Sequence, residues 1–212
     1  MSKNKSYLLI FSAILAVIIL AAGCMFRSLP PVEIYNIEPV WNQGNPAYTA
    51  KQESLILQLA IVRGAEAFTT TEILYTDRLN SQNSYAYSRW RDPPVRSMQI
   101  MLEAALGQSG LFRAVLPPTS VSRVDLLLES TLLDFSHHIR EDKAAEGVVR
   151  MRFHLVNNTS KRVIAGQELV ARKEAASSDA RGATAALNQA AVQVADDLVA
   201  WLAELGELQE QL

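Results

Sequence analysis

The feature that most constrains this chain is at its start. Lys3 and Lys5 precede an almost unbroken apolar run, Leu8 to Leu20, which ends in the small residues Ala21, Ala22 and Gly23; the next residue is Cys24, the one cysteine among 212 residues. A basic start, a short apolar stretch and small residues before a cleavage point are the parts of a secretory signal. The alternative is an uncleaved anchor. Ser6 to Phe26 holds 21 residues, close to the roughly 20 that a helix needs to span a bilayer. Signal h-regions are shorter and stop at small residues, as this one does, which favours cleavage. On either reading the rest of the chain lies outside the cytoplasm.

A small residue before the cleavage point lets the chain thread into a signal peptidase, and a cysteine directly after it offers a thiol that can take a diacylglyceryl group. Leu20-Ala21-Ala22-Gly23-Cys24 resembles a bacterial lipobox, with cleavage expected between Gly23 and Cys24. Leu20 sits one place earlier than the usual pattern, and Ala21 takes its position. Acyl chains add about 0.8 kcal/mol per buried methylene, so more than one chain gives a stable anchor. Met25 stands where lipoproteins retained in the inner membrane typically carry Asp. The expected location is therefore the periplasmic face of the outer membrane, with an inner-membrane anchor facing the periplasm as the alternative.

Using Cys24 as an anchor leaves no cysteine for a disulfide, a metal cluster or a catalytic thiol. A net charge of −2 gives no surplus of cations to neutralise a phosphate backbone, so nucleic acid is not an expected partner. The expected organisation is a signal peptide at 1–23, a lipidated tether at 24–31 stiffened by Pro30-Pro31, one domain at 32–206 and a tail at 207–212.

Within that domain, Val32 to Ile37 reads as extended. Leu55 to Val62 is apolar on both faces and so reads as a central strand. Glu72 to Thr76 and Ser84 to Trp90 follow, with Asp77 to Asn83 as the hairpin loop between them. Asp92 is placed to cap a helix with Pro93 and Pro94 in its first turn. Val95, Met98, Met101, Leu102, Ala105 and Leu106 recur at helical spacing until Gly107 and Gly110 stop it. Phe112 to Leu116 and Val124 to Phe135 read as strands. Val149, Met151, Phe153 and Leu155 alternate with Arg150, Arg152 and His154, and Asn157 to Arg162 turns the chain into a partner strand at Val163 to Arg172. From Arg181 to Gly206 an Ala-rich helix carries Leu187, Ala191, Val194, Leu198, Trp201 or Leu202, and Leu205 on one stripe. Its small residues suit close packing on a sheet better than a coiled coil. The order predicts an α/β single-domain sandwich, a mixed and largely antiparallel sheet covered by two long helices.

Little in the sequence suggests chemistry. His137 and His138 are adjacent, with Glu141 and Asp142 behind them, but neighbours in a strand point to opposite faces. A solvated strand end accounts for them better than a metal site. Gly107-Gln108-Ser109-Gly110 differs from a nucleophile elbow, since its second glycine comes one place early and the serine ends a helix. Neither an enzyme nor a cofactor is expected; a hydrolase using Ser109 or the histidines is the remote alternative. The most distinctive string is Arg89-Trp90-Arg91-Asp92-Pro93-Pro94. One reading has Trp90 filling a strand–helix corner while Arg89 or Arg91 pairs with nearby carboxylates or carbonyls. The other makes Arg89, Trp90 and Arg91 a partner interface.

At this string the chain resembles the ABC-type transport auxiliary lipoprotein family, which accompanies Mce-type and paraquat-inducible lipid transport systems. The resemblance is carried by Ile73-Leu74-Tyr75-Thr76-Asp77-Arg78, Tyr87, Arg89-Trp90, Asp92-Pro93-Pro94 and the helix through Leu102 and Leu106. It continues through Ser109-Gly110-Leu111-Phe112 before Val115, the strand from Asp125 to Phe135, and the Ala-rich C-terminal helix. Leu79-Asn80, where many members have Pro and Gln, and the long lead-in Leu55 to Val62 depart from the pattern. The resemblance implies a non-catalytic component that docks or guides lipid transfer. Its partners would be a periplasmic Mce-domain protein and, indirectly, an inner-membrane ABC permease and its ATPase. A homo-oligomer is compatible with it. The competing reading is a structural or regulatory envelope lipoprotein that activates a cell-wall or envelope-assembly enzyme.

Overall fold

The computed structural model describes residues 30–38, 52–78, 81–142 and 144–209, so the expectations for the leader, Gly23 and Cys24 lie outside the described residues. The chain divides into two units, Met1–Val32 and Glu33–Leu212. Among its described residues the second unit carries nine strands and two long helices. In order they are β1 (Glu33–Tyr35), β2 (Gln52–Leu59), β3 (Arg63–Gly64), β4 (Glu72–Arg78), β5 (Ser81–Trp90), α1 (Pro94–Ser109), β6 (Phe112–Leu116), β7 (Leu126–Ile139), β8 (Ala145–Asn157), β9 (Val163–Glu174) and α2 (Ala180–Gln209). A single 3-10 turn, Glu66–Phe68, joins β3 to β4.

The sheet is organised by β7. At about 3.3 Å per residue its 14 residues span roughly 45 Å. One edge runs antiparallel to β8, from Leu126 opposite Asn157 to Ile139 opposite Ala145, and β9 extends this sheet antiparallel on β8. The other edge takes three short strands in turn, all parallel to it. Leu57–Leu59 lie on Leu126–Leu128, Arg63–Gly64 on Thr131–Leu132, and Tyr75–Thr76 on His137–His138. Beyond them β6 adds parallel to β2, β5 adds antiparallel to β4, and β1 adds parallel to β5.

Five of the eight pairings are parallel. The sheet is therefore mixed and mostly parallel, which corrects the expectation of a largely antiparallel one. Local patterning identifies the antiparallel hairpin β8–β9, but the parallel pairings are set by which distant edge each short strand joins. The strand limits shift for the same reason. Arg78 pairs with Ser81, so most of the expected hairpin loop is strand.

Both helices cover one face of the sheet: α2 packs on β7, β8 and β9, while α1 packs on β6 and on α2. Met98, Met101, Leu102, Ala105 and Leu106 of α1 are buried, as are Leu187, Ala191, Val194, Leu198 and Leu202 of α2. They meet Val149, Met151, Phe153 and Leu155 from β8 in one core. Burying each such Leu or Val side chain contributes on the order of 2 kcal/mol. α2 lies so close that a Cβ on Gly147 would stand 2.6 Å from the backbone of Ala186 and Leu187.

The helix ends are fixed differently. Asp179 accepts a hydrogen bond from the Gly182 N–H at 2.9 Å, which holds its carboxyl below the usual carboxylate range, with the Ser177 hydroxyl adding to this. α1 begins instead at Pro93, without a side-chain cap. Asp92 does not cap it, contrary to expectation: it faces Arg96 at 3.6 Å. The N–H groups of Arg96 and Ser97 bond to the Pro93 carbonyl at 3.0 and 3.1 Å, and Pro94 has none to satisfy. Gly110 ends α1 at φ 71°, a left-handed conformation that favours glycine. No helix among the described residues is long and apolar enough to cross a membrane.

Candidate functional site

The string Arg89-Trp90-Arg91 forms the corner between β5 and α1, and its three side chains part ways there. Opposite the two-residue step from Glu72 to Leu74 on β4, β5 advances from Arg89 back to Ser84, leaving Tyr85 to Ser88 as a wide bulge. The Arg89 guanidinium closes the bulge by donating to the carbonyls of Tyr85 at 2.5 Å and Ser88 at 2.8 Å. Trp90 is 2% exposed and meets Phe135 edge-on at 5.7 Å between ring centres. Arg91 fastens β1 through its backbone N–H to the Tyr35 carbonyl at 2.7 Å, and its side chain stands in solvent.

Beside Arg91 the outer side of α1 forms a surface that the sequence patterning missed. The Gln99 side chain accepts the Val62 N–H at 2.8 Å, pinning the link between β2 and β3 to the helix. Ile61, 70% exposed, and Ile100, 57% exposed, are the chain neighbours of these two bonded residues. Arg63 and Arg96 are also exposed, two residues after Ile61 and one helical turn before Ile100. The sequence does carry a signal for this surface: Ile100 is the one large apolar residue of α1 outside its buried stripe.

The histidines occupy opposite faces of β7, and only one of them is at a solvated position. His138 accompanies Asp134 at 2.9 Å on the open face. His137 is fully buried on the helix side, which corrects the expectation of a solvated strand end, because α2 and its lead-in cover that end of β7. Its Nδ1 lies 2.7 Å from the Tyr85 hydroxyl, which also donates to the Ser178 carbonyl at 3.2 Å. Whichever atom holds the shared proton, the buried Nε2 has no partner. Burial pushes His137 below its ordinary value, the His138 charge adds to this and Asp179 opposes it. Burial also raises Tyr85, aided by Asp179 and Tyr75. The Ser109 hydroxyl is occupied locally, donating to the Leu106 carbonyl at 2.7 Å and accepting from the Leu111 N–H at 3.2 Å. Among the described residues no group of three or more His, Cys, Asp or Glu side chains is arranged to hold a metal ion.

A half-open cleft of about 280 Å³ runs beside α2, lined by Glu38, Lys173, Asn188, Gln189, Val192, Gln193 and Asp196. Six of the seven lining residues are polar or charged, yet the surface they turn to the cleft is mainly apolar, from their aliphatic stems and Val192. The arrangement as a whole offers surfaces for binding: exposed isoleucines with arginines near them in the chain, and a small cleft of mixed character.

The sequence matches the family described as ABC-type transport auxiliary lipoprotein component over residues 35–199. The chain belongs to this family. Among solved structures, a protein from Xanthomonas campestris of family DUF330 is 22% identical, with a TM-score of 0.77, covering 85% of this chain and 100% of its own. An uncharacterized protein is 13% identical, with a TM-score of 0.63 and coverage of 82% and 99%. Both likenesses concern the fold. No curated protein matched the chain.

Proposed function

We propose that this chain is a non-catalytic, membrane-anchored component of an Mce-type lipid transport system, acting at the periplasmic face of the outer membrane. The observation that carries the reading is membership of the auxiliary lipoprotein family across nearly all of the described domain. Energy for transport would come from the ATPase of the system, reached through an inner-membrane permease, and this chain would dock the conduit or guide lipid at its far end. The cleft beside α2, at about 280 Å³, falls below the range typical of drug-sized ligands and is too small for the acyl chains of a whole lipid. Docking therefore fits better than carrying lipid in an internal pocket.

The partner would be a periplasmic Mce-domain protein, received on the corner that Arg91 leads and Arg96, Ile100 and Ile61 continue. Apolar anchors flanked by arginine are the usual composition of an interface centre. The test is affinity capture of a tagged chain at native expression. Co-purification of an Mce-domain protein with the wild-type chain, and its loss with Ile61→Asp plus Ile100→Asp, is the expected result. Recovery of a peptidoglycan synthase, with no Mce-domain or permease protein, would instead select an envelope-regulatory role.

A further inference from the structure

The face of the sheet turned away from the helices changes character across its width. On β7, β8 and β9 it is ion-paired. Arg150 and Arg152 hold Glu168 at 2.5 and 3.0 Å, Arg172 holds Glu146 at 2.6 Å, and Asp134 holds His138. Two exposed valines stand on β9, Val170 between Glu168 and Arg172 and Val163 at the start of the strand. At the other margin β1 and β5 present Ile34, 69% exposed, and Tyr87, 45% exposed. Along β5, Tyr87 is exposed, Ser88 buried, Arg89 half-buried and Trp90 buried, and Ile34 stands opposite Arg89. Ile34 and Tyr87 therefore share the open face. The guanidinium between them donates to the bulge carbonyls and keeps its charge, which suits the level of anionic lipid headgroups.

This margin is also where the tether enters. Glu33 follows Cys24 by nine residues, and a fully extended segment of that length spans only about 30 Å. We propose that the β1–β5 margin, through Ile34 and Tyr87, rests in the headgroup region of the bilayer that holds Cys24. Tyrosine has an apolar ring and a polar tip suited to that interface. A tethered domain meets its own bilayer at high effective concentration, so a small apolar contact is enough to orient it. The ion-paired β7–β9 part of the face would then stand away from the lipid. The proposal rests on acylation of Cys24.

The experiment places one reporter at a time on the full acylated chain, whose own thiol is taken up by the anchor. Ile34→Cys and Tyr87→Cys, with Val121→Cys and Val170→Cys as controls, are labelled with an environment-sensitive fluorophore. Each is reconstituted into vesicles of phosphatidylethanolamine and phosphatidylglycerol, with and without nitroxide-bearing lipid. Labels at 34 and 87 should shift to the blue and be quenched by the nitroxide lipid, while labels at 121 and 170 stay unchanged. Co-sedimentation without quenching at 34 and 87 overturns the contact and leaves the anchor standing. Quenching at all four sites overturns the orientation. A blue shift at 34 and 87 that depends on protein concentration and ignores the nitroxide lipid points to a second copy and overturns the proposal. Failure to co-sediment overturns acyl anchoring itself. Should a cysteine variant misfold, amide exchange on the unaltered chain decides, with slowed exchange at Glu33–Tyr35 on vesicles expected and unchanged exchange overturning the contact.

Discussion

His137 shows how a single buried residue makes this fold sensitive to pH. Its ring is enclosed by Tyr75 from β4, Tyr85 from β5 and the Ser178–Asp179 lead-in to α2, and it faces Gly147 across the β8 ladder. A proton added to the ring would leave a second N–H buried beside Nε2, where no acceptor exists. The folded state therefore takes up that proton later than the unfolded chain, whose imidazole titrates near its ordinary value of 6.5. Between those two values the unfolded state binds more protons, so stability is greatest above 6.5 and falls as pH drops towards the folded value. The expected outcome is a melting temperature that declines below about pH 6.5, read by circular dichroism of the detergent-solubilised lipoprotein. His137→Asn should flatten that decline. An equal slope in the variant would assign the effect to other groups.

At the scale of elements, the contact that most determines the architecture is α2 on β8. Gly147 is the position where helix and strand backbones come closest, and a methyl group there would stand 2.6 Å from the Ala186 and Leu187 backbone. The atoms it meets cannot swing aside as a side-chain tip would. Gly147→Ala should lower stability by roughly 1–3 kcal/mol, in the range of an overpacked core, measured by urea unfolding followed at Trp90 and Trp201. The sequence did not mark this glycine, because nothing local says that the Ala-rich face of α2 will lie on that strand. Other elements were legible because their signals are local. The alternation of Val149, Met151, Phe153 and Leu155 marks β8, and the stripe from Leu187 to Leu202 marks the face of α2. The parallel ladders were not legible, since Leu57, Arg63 and Tyr75 each pair with β7 across more than sixty intervening residues. The corner between β5 and α1 was half legible. Trp90 could be read as a corner filler from its neighbours, but the bulge that draws Arg89 inward depends on the offset between β4 and β5.

For the whole molecule, the anchor and the domain divide the work. Among the described residues no helix is long and apolar enough to cross a membrane, and α1, α2 and the sheet share one core. The proposed attachment is at the start of the chain, either through acyl groups on Cys24 or through an uncleaved apolar run. The two routes leave different covalent products. Processing at Gly23 removes 23 of 212 residues and adds acyl groups to the new first residue, whereas an uncleaved anchor keeps the full-length mass. Intact-mass measurement of the protein extracted from native membranes should give the shortened, acylated species. Replacing residues 1–24 by a cleavable secretion signal without a cysteine should then release the domain into the soluble periplasmic fraction. Its melting temperature should match that of the detergent-solubilised native protein, because among the described residues the buried side chains that close the core begin at Ile37. An apolar patch as small as Ile34 and Tyr87 can orient a tethered domain, but it lacks the buried area to hold a free one at the bilayer. Retention of the leader-exchanged domain on membranes would mean that a protein partner, not lipid, supplies the missing attachment.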